Sequence, residues 1–268
     1  MKGIVSFYQI AKKVNADFKI YFKHPFEINL FLESNLYNWN SNAADLQWNP
    51  ASTEILYLMD DFNTNPKELI ISSNKKKFIV YSNIDYSITI NEGFNLDEQN
   101  AAWRRSFHEL FKKSDYLNSK IVSLFLENKR IAIHTRFTSI LGDFKDSSHK
   151  VVSNERKEEI RETIKNTVME ISKANQGDVI YVFSDSINFL NYIKRQTSCK
   201  VIEGDPKHID YTKHSKVSIE NHLKTFADFF VIAESETVFL LKTEEMHNSA
   251  FAKYAAIVGD KEFKTINI

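Results

Sequence analysis

The segment Arg130-Ile-Ala-Ile-His134-Thr-Arg136 holds the groups in this chain best suited to chemistry. Its apolar middle reads as a buried strand. Residues two apart on a strand point to the same face, so His134 and Arg136 leave it together. An arginine at a strand end presents a planar fork of donors that matches phosphate oxygens. Paired with a surface carboxylate it would be merely structural; used on phosphate, it predicts a nucleotide-handling enzyme.

Two further motifs fall at strand ends or helix starts. Phe183-Ser184-Asp185-Ser186 follows an apolar run and precedes a helix. Serine and aspartate cap helices everywhere, yet this is also where a doubly wound sheet offers polar groups to a nucleotide. Asn248-Ser249-Ala250-Phe251 opens another helix. It reads either as a cap or as a phosphate site built from backbone N–H groups and a hydroxyl. A fourth group, His208, Asp210 and His214, is too loosely spaced for zinc, and Lys224 with Asp228 reads as a solvated i, i+4 pair on a helix.

These groups need elements to hold them. From Arg130 onward strand and helix alternate. Strands are predicted at 130–135, 178–183, 200–202, 237–241 and 264–266, with helices at 155–173, 187–195, 218–233 and 250–258. The helix at 155–173 carries Ile160, Ile164, Val168 and Ile171 on one stripe. The run at 178–183 is almost continuously apolar, as a strand covered on both faces must be. That alternation predicts a parallel α/β sheet. The earlier part is more mixed, with helices at 4–14, 101–113 and 117–126 and strands at 17–22, 54–58, 69–72 and 77–81. A boundary near 115–129 gives domains of 1–127 and 128–268. Two α/β halves would face each other across a cleft, with ligands at the carboxyl ends of the strands.

Composition narrows the function classes. The chain has 268 residues, 43% hydrophobic and 26% charged, which suits a globular protein. Its 35 basic and 35 acidic residues balance, giving no electrostatic argument for nucleic acid or an anionic membrane. Lys75-Lys76-Lys77 reads as a solvated loop. One cysteine, Cys199, excludes an internal disulfide framework and reads as a buried side chain. No apolar window is long enough to span a bilayer and no signal peptide is evident, so the expectation is a soluble cytoplasmic protein. Trp39, Trp48 and Trp103 read as core, with stacking on sugar rings as the other use.

Together the motifs resemble the fucosyltransferase superfamily that includes the α-1,2, α-1,6 and protein O-fucosyl enzymes, most closely the α-1,2 branch. That branch shows His-x-Arg-x-Gly-Asp, then Phe-Ser-Asp-Asp, then Asn-Ser-Ser-Phe-Ser. The chain has His134-Thr-Arg136, Phe183-Ser184-Asp185-Ser186 and Asn248-Ser249-Ala250-Phe251-Ala252, in that order. The segment from Lys224 to Asp228 resembles the helix before the last motif, and Phe7-Tyr-Gln-Ile-Ala11 the end of an N-terminal family segment. There are departures. Phe137 stands where some members have a second arginine, Gly142-Asp143 follows an insertion, Ser186 replaces an aspartate, and Ala250 and Ala252 replace serines. The family's first strand and its glycine-rich turn have no counterpart beyond Gly3, so the N-terminal half is expected to lack that strand.

The resemblance implies a GT-B-like fold of two Rossmann-like halves, GDP-fucose as donor and a glycan as acceptor. Arg136 would be the catalytic residue, contacting the diphosphate. His134, Ser184, Asp185, Asn248, Ser249 and Phe251 would bind the nucleotide sugar. Transfer would be inverting and metal-independent: no Asp-x-Asp motif occurs, and Asp60-Asp61 reads as a loop. Asp143 and carboxylates of the first half are open candidates for general base. The acceptor would be met by the first half. The alternatives are a non-catalytic or degenerate relative that binds nucleotide or glycan, and a GT-B enzyme using another nucleotide sugar.

Overall fold

A computed structural model describes residues 1–141, 143, 152–205 and 219–268. The chain forms two compact units, residues 1–23 with 27–113, and residues 24–26 with 114–268.

The first unit contains α1 (Lys2–Lys13), β1 (Leu32–Ser34), β2 (Thr53–Leu58), α2 (Pro66–Ser72), β3 (Lys77–Ser82), α3 (Ser87–Ile90), α4 (Leu96–Leu110) and β4 (Phe111–Lys113). β2 and β3 pair in parallel, with Tyr57 opposite Tyr81, and β1 pairs antiparallel with β4. Phe7 and Ile10 of α1 pack with Leu56, Leu58, Ile84, Tyr86 and Ile90. Three expectations change here. The run 69–72 is the end of helix α2: Pro66 sits in its first turn and the Asn65 side chain accepts from Glu68 N–H. A short apolar run has no period of its own, and the Asn-Pro cap ahead of it decides for helix. The stretch 17–22 makes only an isolated bridge, Ile20 to Asn40. The helix predicted at 101–113 is α4, which starts at Leu96 behind an Asn95–Glu98 capping box and ends at Leu110, where the chain extends into β4. Trp39 and Trp103 are buried, whereas Trp48 is exposed.

The second unit contains α5 (Asp115–Val122), β5 (Arg130–Thr135), α6 (Asn154–Ala174), β6 (Val179–Ser184), α7 (Ile187–Gln196), α8 (Ile219–Ala233), β7 (Thr237–Lys242), α9 (Phe251–Gly259) and β8 (Glu262–Asn267). α5 packs on α8, which draws the start of this unit to residue 114, ahead of the expected 128. The strands form one parallel sheet in the order β6-β5-β7-β8. The predicted strand 200–202 is reduced to a single bridge, Lys200 to Tyr181, on the β6 edge.

Every residue of β5 is buried. Ile131 and Ile133 face a core that includes Ile160, Ile164 and Val168 of α6 and Phe189 and Ile193 of α7. The alternate residues, Ala132 and His134, point to the other face, where His134 meets Phe251 of α9. α8 and α9 pack closely there: a Cβ on Gly259 would lie 1.7 Å from the carbonyl oxygen of Ala233, so only glycine fits. The chain leaves β5 for β6 on one side and β7 for β8 on the other. The strand order therefore reverses between β5 and β7, and in open α/β sheets that reversal opens a crevice at the carboxyl ends. No helix among the described residues is long and apolar enough to cross a membrane.

Candidate functional site

Arg136 leaves the carboxyl end of β5 next to that reversal. Its Nε lies 3.8 Å from Oδ2 of Asp185, and the two side chains are 19% and 10% exposed. Asp185 follows the last residue of β6. Ser184 is directly opposite Thr135 in the parallel register, so the two strand ends are level. The Asp185 carboxylate accepts from two consecutive backbone N–H groups of the β5 exit, Phe137 to Oδ1 at 2.8 Å and Thr138 to Oδ2 at 2.8 Å. Burial pushes its pKa up from the usual carboxylate value, against those two N–H groups and the Arg136 charge.

The turn held in this way is strained. Thr138 has φ of 53° and is buried. A β-branched residue in the left-handed region is an outlier, with a strain of about 1–3 kcal/mol that persists only where surroundings enforce it. Thr138 Oγ1 donates back to Phe137 O at 2.7 Å, and so stays within the turn.

The start of α7 uses the remaining groups of this motif. Ser184 Oγ accepts from Ser186 N–H at 3.1 Å, and Ser186 Oγ caps the helix by accepting from Phe189 N–H at 3.0 Å. Ser186 Oγ also donates to Asp143 Oδ2 at 2.8 Å, and Asn188 N–H donates to the same oxygen at 2.8 Å. Asp143, an open candidate for the general base, thus places one carboxylate oxygen on a helix N-terminus, where the dipole favours negative charge.

His134 is buried with no hydrogen-bond partner at Nδ1. Its ring centroid lies 5.6 Å from that of Phe251, which in turn meets Phe229 edge-on at 5.5 Å. Burial, followed by the nearby Arg136 charge, lowers its pKa from 6.5 to about 3. At neutral pH the imidazole is therefore uncharged, and Arg136 supplies the positive charge.

The third motif opens α9. Ala250, at the N-cap, brings no capping side chain; Ser249 is buried and its Oγ accepts from Phe251 N–H at 3.3 Å. Asn248 is exposed and accepts from Lys242 Nζ at 3.3 Å. The structure thus brings Arg136, Asp185 and Ser184 into one bonded cluster and His134 against Phe251, while Asn248 turns toward solvent. Glu245, which the sequence reading missed, lies in the loop between β7 and α9. Arg156, at the start of α6, holds it, with Nη2 2.7 Å from Oε1. The neighbouring Thr243 hydroxyl and the Arg156 guanidinium keep its pKa below the usual value. Neither Glu245 nor Thr138 carries a local sequence signal, because each is defined by partners or backbone angles fixed only on folding.

Lys224 and Asp228 form a buried pair rather than the expected solvated one, with Nζ 2.8 and 2.6 Å from the two carboxylate oxygens. They lie on the inward side of α8, and a Cβ on Gly204 would come 2.5 Å from the Lys224 stem. His222 on the same helix is buried, its ring 4.7 Å from that of Phe26. His208, Asp210 and His214 lie outside the described residues. No group of His, Cys, Asp and Glu that could hold a metal occurs among the described residues. Cys199 is a buried free thiol.

No family model matches the sequence, and no curated protein matches it. Solved structures do resemble it in fold. NodZ, an α-1,6-fucosyltransferase soaked with GDP-fucose, is 12% identical; the match covers 95% of this chain and 86% of that one with a TM-score of 0.56. NodZ from Bradyrhizobium gives a TM-score of 0.57 at 13% identity, over 94% and 85% of the two chains. FUT1 of Arabidopsis thaliana in complex with GDP has a TM-score of 0.61 at 10% identity, over 99% of this chain and 67% of that one. The chain thus has the α/β, GT-B-like fold of these fucosyltransferases.

Proposed function

We propose that the protein transfers fucose from GDP-fucose to a hydroxyl of a glycan acceptor, with inversion. The observation that carries this reading is the place of Arg136. It stands at the carboxyl edge of a central strand, beside the strand-order reversal, in a fold whose solved neighbours include one soaked with GDP-fucose and one in complex with GDP. In this reading the second unit takes the donor and the first unit the acceptor.

The chemical problem is departure of GDP from the anomeric carbon. Negative charge builds on the β-phosphate while the sugar becomes cationic. A preorganised donor aimed at developing charge stabilises a transition state by about 2.7–4 kcal/mol. Arg136 is that donor, and the start of α9, where Ser249 takes the Phe251 N–H, adds the positive end of a helix dipole. Positive potential from these groups does the work a metal ion does in other nucleotide-sugar enzymes, so transfer proceeds without one. Neutral His134, packed on Phe251, shapes the apolar wall beside the phosphate and adds no second cation. Ser249, at the same helix start, offers a hydroxyl.

Binding and transfer are tested in turn. GDP at one hundred times its Kd raises stability by about 2.7 kcal/mol, so a thermal shift is expected with GDP and none with UDP. Incubation with GDP-fucose and a glycan panel then releases GDP and yields a fucosylated product whose linkage is read by mass spectrometry. A shift with UDP alone points to a different donor. Absence of a shift with either nucleotide ends the proposal.

A further inference from the structure

The geometry points to Asp185 as the residue that positions Arg136, not as a ligand of the nucleotide. The inference rests on the reading of Arg136 as the diphosphate-binding cation.

Both carboxylate oxygens of Asp185 are already engaged from within the protein. Oδ1 takes the N–H of Phe137, and Oδ2 takes the N–H of Thr138 and lies 3.8 Å from Arg136 Nε. An ionised carboxylate has only acceptors, so it cannot donate to phosphate oxygens, and beside a diphosphate its charge repels. The two N–H groups it does hold belong to the residues immediately after Arg136. The second sits in the left-handed turn at Thr138, a conformation that a β-branched residue keeps only under restraint. Thr138's own hydroxyl reaches no further than Phe137 O, and the Ile140 N–H closes the turn onto the same carbonyl; Asp185 is the side chain that holds the turn from outside it. One side chain therefore fixes the backbone on which Arg136 is mounted and draws its guanidinium to one side. Misplacing a catalytic group by about 1 Å costs on the order of 10² in rate, so such a clamp is expected to control turnover.

Asp185→Asn keeps the shape but turns an NH2 group toward one of the two N–H donors. Amide hydrogen exchange at Phe137 and Thr138 is expected to accelerate by roughly 10-fold or more as local opening becomes easier. GDP affinity should fall about 10-fold in the native background and by less than about twofold in an Arg136→Ala background, since residues acting as a unit are not additive. A further Thr138→Gly change, which makes the left-handed turn free of side-chain penalty, should restore most of the loss. If Asp185→Asn alone does not fold, the Thr138→Gly background provides the folded pair for the same comparison. Equal losses with and without Arg136 overturn the assignment and make Asp185 a direct ligand. Unchanged exchange at both amides also overturns it. If the native protein binds no GDP, the nucleotide reading falls, while amide exchange still decides whether the clamp exists.

Discussion

β5 and β2 are both six-residue strands, yet they are used differently. All six residues of β5 are buried between helices on two faces, whereas β2 buries Thr53, Leu56 and Leu58 and turns Ile55 and Tyr57 to solvent. β5 has a parallel partner on each side; β2 has one, β3. A strand held on four sides can deliver polar groups from its end in a fixed geometry, and β5 does so with His134 and Arg136. A strand covered on one face offers instead a surface of exposed rings. Precision at a site comes from elements whose own packing leaves them no freedom, and the second unit has that property at its carboxyl edge.

The packing itself is the place to break this contrast hardest. Phe189 is fully buried, with its ring 4.8 Å from that of Phe137 just beyond Arg136. Phe189→Ala removes a large core side chain, which typically costs about 3–5 kcal/mol. Urea unfolding of the variant should show that loss, together with weakened GDP binding because the Arg136 turn loses its floor. A loss below about 1 kcal/mol, the range of minor substitutions, would mean that the second unit does not depend on this packing.

The charge at the strand end is the next largest lever. Arg136→Ala should lower fucosyl transfer by about 10²–10³, the typical cost of removing one donor to a developing anion, with circular dichroism unchanged. A folded variant with undiminished turnover would detach the site from the strand end.

His134 gives the pH signature of burial on β5. Its pKa is about 3 in the folded chain, against 6.5 for an exposed imidazole. Between those values the unfolded chain binds the extra proton and the folded chain does not, so stability falls as pH drops from 6.5 toward 3. The slope starts at half of 1.36 kcal/mol per pH unit at pH 6.5 and rises to nearly all of it, so the loss between pH 6.5 and 4.5 is about 2 kcal/mol. His134→Leu should flatten that part of the stability profile in parallel urea titrations; an unchanged slope would show that the acid sensitivity resides elsewhere.

The same contrast governs what could be read from the sequence. Doubly covered strands must be continuously apolar, and the helices beside them must carry one apolar stripe. The elements around Ile131, Ile160, Val182 and Val238 were therefore legible. In the first unit the run Leu69-Ile70-Ile71 fits either period, and only the Asn65-Pro66 cap selects helix. At the site, the residue types were legible but not their roles. Asp185 follows Phe-Ser as a capping residue would, yet its partners are backbone N–H groups 48 and 47 residues earlier. Asp143 likewise caps α7 from 45 residues before Asn188. Lys224 and Asp228 keep the same i, i+4 spacing whether solvated or buried, so spacing alone could not distinguish the two.

The smallest effect is expected on the open face of the first unit. Tyr57 and Tyr81 stand opposite one another in register, 73% and 53% exposed, with ring centroids 6.2 Å apart at 40°. Such a pair contributes roughly 0.2–1 kcal/mol as a cross-strand contact. With so much ring surface still in water, each single change to Ser should shift stability by no more than about 0.5 kcal/mol. A double-mutant cycle isolates the coupling. A value near the low end of that range places Tyr57 and Tyr81 as side chains presented to solvent, whereas a loss of several kcal/mol from either single change would show that this face is covered. The first unit would then share the two-sided burial seen at β5, and the contrast between the two strands would disappear.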